Sequence, residues 1–308
     1  MSWVMSLFVF VMQMQWFKSF SLGFVVVLVA MLCAGCVQEE RAETAGVVVW
    51  STVQPQKYLV ERVGGGSVSA EVLVRPGQSP EMYAPGVAQM AQLARADVYF
   101  GIGMPIEGPL FKRMRSSMSG VRIVQTGDVV AEHHHSGHDH AHHDHGEDDP
   151  HIWMDPVRMV EVVEQVRDAL IEIEPSAAEV FADNADALIA ELVELDEAIR
   201  LQLAPYAGRA FFINHPALGH FAERYGLVQL SIEQSGTAPS AGRVADLIGQ
   251  ARAARVGAIF TQPEFGRSTA TILADALEVE VIELNLLPTD YIAGMTAIAD
   301  QLEGSFAR

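Results

Sequence analysis

From residue 47 onward, short apolar runs alternate with stretches whose apolar positions recur every three or four residues. The short runs predict strands at Val47 to Thr52, Val68 to Val74, Asp97 to Gly101 and Arg122 to Thr126. The periodic stretches predict helices at Pro55 to Val63, Gly86 to Arg95 and Ile106 to Met118. This alternation predicts an α/β unit with a mainly parallel sheet, running to about residue 172. A longer periodic stretch follows, with Phe181, Ala185, Leu188, Leu192, Leu195 and Ile199 spaced by four and three. Ser176 and Glu179 read as a capping box at its start, and Pro205 stops it. A helix over residues 176–204 would span roughly 43 Å, a stiff rod able to cross the molecule. A second alternating block then predicts strands at Ala210 to Asn214, Val228 to Ile232, Ala258 to Thr261 and Glu280 to Leu284. Its helices are expected at Ser240 to Arg255, Ser268 to Leu277 and Tyr291 to Leu302.

The fold class expected is therefore α/β, with two lobes, each a mainly parallel β-sheet flanked by helices, joined by one long rigid linker helix. The divisions are an N-terminal lobe over residues 47–174, a linker helix over 175–205 and a C-terminal lobe over 206–308. A chain of 308 residues with 50% hydrophobic content is enough for one large or two medium domains, each with its own core. Ligands of open α/β sheets bind beyond the carboxyl ends of the strands, which places a site between the lobes.

Residues 1–35 change the picture at the start. Lys18 precedes an apolar run from Leu22 to Leu32, and Ala34 and Gly35 stand before Cys36, the pattern of a secretory signal. The A-G-C ending resembles a bacterial lipobox, although Cys33 occupies the usual aliphatic position. Cleavage before Cys36 and lipidation of its thiol are expected, with residues 36–46 as a polar tether; an uncleaved anchor is the alternative. Met14 is a second candidate start. With Cys33 removed and Cys36 acylated, no free thiol remains for a disulfide or a zinc thiolate site, so any metal falls to His, Asp, Glu or Asn. The net charge is −19, and residues 1–35 contribute only Lys18 to it. Such a chain is modestly suited to attracting cations, with simple solubility as the plain alternative, and is a poor partner for nucleic acid or anionic lipid surfaces.

The chemistry concentrates in two settings. The run over residues 132–149 holds His133, His134, His135, His138, His140, His142, His143 and His145, a composition no packed core can use. It predicts a solvated loop that collects zinc, copper or nickel, with a neutral low-complexity insertion as the plain alternative. His151 is different, held in DPHIWMDP between prolines and beside Trp153. His215 follows the strand predicted at Ala210 to Asn214. Each alone reads as an ordinary structural histidine; together, one per lobe at strand-end positions, they point to a metal between the lobes. His220 is a weak candidate, and Asp155 reads as a helix cap ahead of Pro156.

The segments VLVRPGQSPEMYAPG, ARADVYFGIG, DPHIWMDP, FFINHPALGHFAERYG, IFTQPEFG and VIELN, with the His-rich run in its place among them, are spread along nearly all of the chain after residue 46. In this order they resemble the zinc- and manganese-specific solute-binding lipoproteins of ABC importers, on the zinc-uptake side. The resemblance implies Zn²⁺ bound in the cleft and delivered to a permease powered by a cytoplasmic ATPase. It also implies an exported protein on the periplasmic or cell-surface face, membrane-anchored through its lipid and monomeric. Two positions depart from the family pattern. Glu81 in PEMY stands where a first ligand histidine is usual, and Asn285 in ELN stands for a late aspartate; His151 and His215 match. Zinc accepts carboxylate oxygen, so Glu81 can complete a His₂Glu set, with water, Asn285 or Glu264 in the fourth place and Glu233 behind the ligands. A binding protein is the leading reading. Mn²⁺ is the alternative cargo, favoured by the harder Glu81 oxygen and disfavoured by the His-rich run. A metal-buffering surface adhesin is a further alternative, and a zinc hydrolase is weaker because no H-E-x-x-H pattern occurs.

Overall fold

The computed structural model describes residues 46–127, 149–233 and 240–307. Cys36 and the histidines between 133 and 145 lie outside these described residues.

The N-terminal lobe runs β1 (Val47–Ser51), α1 (Gln54–Gly64), β2 (Val68–Val72), α2 (Val87–Leu93), β3 (Val98–Gly101), α3 (Glu107–Ser117) and β4 (Arg122–Gln125). Helix α4 (Pro156–Ile173) and the long helix α5 (Ala178–Leu203) follow. The C-terminal lobe holds β5 (Ala210–Ile213), α6 (Gly219–Arg224), β6 (Val228–Ser231), α7 (Ala241–Ala254), β7 (Ala258–Thr261), α8 (Ser268–Leu277), β8 (Glu280–Glu283) and α9 (Tyr291–Phe306). Each sheet has four parallel strands, in the orders β2-β1-β3-β4 and β6-β5-β7-β8. The two sheets thus repeat one winding. In each, the strand order reverses at the central pair, β1 with β3 and β5 with β7, and a crevice opens beyond the carboxyl ends at that point.

In the N lobe this crevice is filled from within. Gln56 accepts from the Thr52 N–H and donates to Gly101 O and Thr126 Oγ1. The buried Glu107 accepts from the Ile102 and Gly103 N–H groups and from Thr52 Oγ1. Burial pushes its carboxyl above the ordinary value against these donors. With that space taken, the N lobe must present ligands from other loops.

Strands β3 and β7 are buried along their whole length because both sheet faces are covered. On one face of each sheet, Val49, Val98 and Phe100, and Phe211, Ile213 and Phe260, join a single apolar cluster that runs through both lobes. Helix α5 is its spine: Phe181, Ala185, Leu188, Leu192, Leu195 and Ile199 are all buried in it. The helix packs on α1 and α4 of the N-terminal half and on α9 of the C-terminal lobe. The opposite sheet faces carry smaller clusters, around Trp50 and Tyr99 in the N lobe and around Phe212 and Ile259 in the C lobe. Each lobe thus has a small cluster of its own, and the long apolar stripe of α5 joins both lobes in the larger one.

The start of α5 also differs from expectation. Residues Pro175–Ala177 form a 3₁₀ turn, and the Ser176 hydroxyl donates to Glu174. No side chain caps α5, so the Ser176–Glu179 capping box does not form. At the other end Pro205 sits in a second 3₁₀ turn, Ala204–Tyr206. Asp155 does cap α4, its Oδ1 accepting from the Val157 N–H at 2.9 Å. Among the described residues no helix is long and apolar enough to cross a membrane.

Candidate metal centre

His215 lies two residues past β5, at the C lobe's switch point. The neighbouring strand β7 hands over to Gln262, whose amide clamps the His215 backbone. Its Nε2 donates to His215 O at 2.7 Å, and its Oε1 accepts from His215 N at 3.3 Å. The imidazole stacks on Phe265, with centroids 4.6 Å apart and planes 14° from parallel. Backbone and ring plane are both held, which is what a preorganised ligand needs.

His151 is set by another device. The segment after it, Ile152–Met154, is a fully buried 3₁₀ turn. Trp153 Nε1 donates to Leu286 O at 2.9 Å, and Tyr291 Oη donates to Trp153 O at 2.7 Å. Leu286 and Tyr291 belong to the C lobe, so this N-lobe segment is stapled across the cleft. His151 meets Trp153 and His215 edge-on, at centroid distances of 5.1 and 5.3 Å. Its Nδ1 lies 2.7 Å from Asp149 Oδ1.

Glu81 enters from the irregular chain between β2 and α2. Its Oε1 lies 2.8 Å from His215 Nε2 and 3.7 Å from His151 Nε2. One donor atom from each of Glu81, His151 and His215 falls within 4.8 Å of the others. In a tetrahedral zinc site, bonds of 2.0–2.2 Å separate ligand atoms by about 3.3 Å. The observed spacings bracket that value. Both histidines are buried, and neither ring nitrogen of His215 has an aligned hydrogen-bond partner among the described residues. A buried imidazole whose Nε2 faces a carboxylate oxygen at 2.8 Å without good alignment is suited to a cation shared between the two. The donor set fits a divalent cation.

The cavity these residues share has a volume of about 20 Å³, room for one ion or water rather than an organic molecule. Trp153, Phe265, Leu286 and Leu287 supply apolar walls. Burial pushes the Glu81 carboxyl up, but His215 and His151 more than offset it and hold the group below its ordinary value. Glu81 is thus ionised and able to bind a cation. Burial likewise works against the Asp149 charge, and the hydrogen bond and charge of His151, with His220, bring its carboxyl to about 2.

Of the other residues expected near the site, Glu264 lines the cavity without joining the three-residue cluster, and burial and then Glu283 raise its carboxyl. Asn285 is exposed and does not line the cavity. Its Oδ1 accepts from the Leu287 N–H at 3.0 Å, a local turn that occupies the side chain. Glu233 stands behind His215, its Oε2 3.6 Å from Nδ1. His220 is outside the cluster, with Nε2 3.0 Å from Asp149 O. Asp149 is the residue that reading along the chain passes over. Its available signal is the D-x-H spacing, an Asp able to bond the backbone two residues on.

Residues 49–305 match the family described as zinc-uptake complex component A, periplasmic. The chain is 29% identical over 279 residues to the zinc-binding lipoprotein AdcA of Streptococcus pneumoniae, covering 84% of this chain. That alignment spans 54% of the relative, so the chain covers about half the length of AdcA. It is 26% identical to the manganese-binding lipoprotein MntA of Halalkalibacterium halodurans, over 86% of this chain and 88% of that protein. A crystal structure of ZnuA superposes with a TM-score of 0.77 and 26% identity, covering 84% of this chain and 99% of the other.

Proposed function

Because the chain belongs to the zinc-uptake complex component A family, we propose that it is the solute-binding component of a metal importer, and that Zn²⁺ is its cargo, held between the lobes by Glu81, His151 and His215. One observation carries this reading: three separated chain segments converge on an ion-sized cavity with an anionic oxygen and two buried imidazoles. Two imidazoles favour zinc over manganese, and the single carboxylate keeps the harder ion as the competitor. A cavity of this size suits capture and release of an ion. The partners proposed are a membrane permease and its cytoplasmic ATPase. An acylated Cys36 would tether the protein at the membrane face, and the protein would work as a monomer.

The histidines between His133 and His145 gather the ion in this proposal, and the cleft residues hold it. Calorimetric zinc titration of protein lacking residues 133–145 tests the division. The expected outcome is one tight site, lost in His151→Ala and weakened in Glu81→Ala. Loss of the tight site together with the His-rich run would sink the division of labour. Unchanged binding in Glu81→Ala would remove Glu81 from the ligand set.

A further inference from the structure

Asp149 and His220 are not among the proposed ligands, yet they form a chain that ends on one of them. Asp149 Oδ1 lies 2.7 Å from His151 Nδ1 and 3.0 Å from the His151 backbone nitrogen. The Asp149 carbonyl lies 3.0 Å from His220 Nε2. A carbonyl can only accept, so His220 Nε2 is the donor; an ionised carboxylate can only accept, so His151 Nδ1 carries the proton. The remaining nitrogen of a neutral His151, Nε2, then bears a free lone pair, and it is the atom that faces Glu81.

We propose that Asp149 is the positioning residue of the cleft: it holds His151 as the Nδ1–H tautomer with Nε2 turned to the cation, and His220 of the C lobe anchors Asp149 in that place. The inference rests on reading the cleft as a zinc site. The Asp149 side chain makes two bonds to the same residue, one to the ring and one to the backbone, so it fixes ring rotation as well as the turn. The anchor comes from α6, in the lobe that also supplies His215, so the two imidazoles are referred to one frame. The arrangement also has a counterpart, since Glu233 stands behind His215 Nδ1 at the longer distance of 3.6 Å. Carboxylates behind ligand imidazoles set tautomer and orientation, and their loss weakens metal affinity by about 10–100-fold.

A merely structural Asp149 would cap the local turn and leave the tautomer of His151 to chance. Nitrogen chemical shifts of the His151 ring, read by NMR in the zinc-free full chain, separate the two roles, with zinc calorimetry on the same samples. The parent is expected to show a protonated Nδ1 and a bare Nε2. Asp149→Ala is expected to move protonation toward Nε2 and to weaken zinc by about 10–100-fold at unchanged far-ultraviolet circular dichroism. Asp149→Asn, which keeps an acceptor oxygen, should restore most of both, and His220→Ala should shift both in the direction of Asp149→Ala by less. A His151 tautomer and zinc affinity unmoved in both Asp149→Ala and His220→Ala would overturn the proposal; if Asp149→Ala does not fold, His220→Ala decides alone. A parent that binds no zinc, with the tautomer still moving in the variants, would overturn the zinc reading of the cleft and support the role of Asp149.

Discussion

At the scale of single residues, the charge state of the site follows from a contest between burial and pairing. Asp149 shows it most sharply. Burial would raise its carboxyl, yet the hydrogen bond and charge of His151, joined by His220, hold it at about 2 against an ordinary 3.8. A carboxyl depressed on folding stabilises the fold above its unfolded value, and that contribution disappears as pH falls through the folded one. The window is therefore between pH 4 and pH 2. Parent and Asp149→Asn should differ in unfolding free energy by about 2 kcal/mol near pH 5, and the difference should shrink toward zero by pH 2. Urea denaturation across that range measures it. A constant difference would mean that folding does not depress the Asp149 carboxyl.

At the scale of elements, the short turn Ile152–Met154 does more for the site than any long helix. Trp153 sits in the N-lobe return, but both of its hydrogen bonds go to the C lobe. Asp196 on α5 adds a second tie. It accepts both Arg224 donors, at 2.8 and 2.6 Å, and the Tyr225 hydroxyl at 3.1 Å, so α6 is fixed to the spine helix. His151 and His215 are thereby held in one frame, whereas Glu81 arrives on a segment with no helix or strand of its own. Trp153→Phe keeps most of the buried ring and removes the Nε1 donor, leaving the Leu286 carbonyl unpaired. It should cost about 1–3 kcal/mol in a urea titration and weaken zinc binding in the same variant. Lost stability with unchanged zinc affinity would separate the staple from the site.

At the scale of the molecule, the two lobes share one core. Leu192 lies midway along α5 and is fully buried in the cluster that reaches both sheets. Leu192→Ala should therefore lower stability by about 2–5 kcal/mol, and lobe-specific probes should report the loss in a single transition. Trp50 in the N lobe and a fluorophore placed in the C lobe serve as the probes. Two separated transitions in the parent would show lobes that unfold alone. The continuous core also limits how the cleft can open. Hinge motion about a helix packed on both lobes must disturb buried contacts, while movement of the Glu81 segment need not.

Periodicity along the chain was enough for the architecture. Strands β1 to β8 all fall where apolar runs predict them: the central strands, covered on both faces, are short continuous apolar runs, and the edge strands β2, β4, β6 and β8 keep apolar positions among polar ones. The stripe on α5 was legible for the same local reason, as was the Asp155 cap before Pro156. Chemistry of residue type and setting was enough to single out His151 and His215 as candidates, whereas Glu81 stood out only through the family resemblance. Other outcomes depend on distance in space. The Ser176 hydroxyl found Glu174 instead of the α5 backbone, and Asn285 closed a turn on Leu287, because each had a nearer partner than its sequence pattern presumes. The fusion of the cores, the Trp153 staple and the Asp149–His220 tie join residues tens of positions apart or more. No local pattern encodes which of two equally short apolar stripes will meet, or which carbonyl a histidine will reach. Packing decides those, because the free energy of a buried contact depends on everything else that must fit around it.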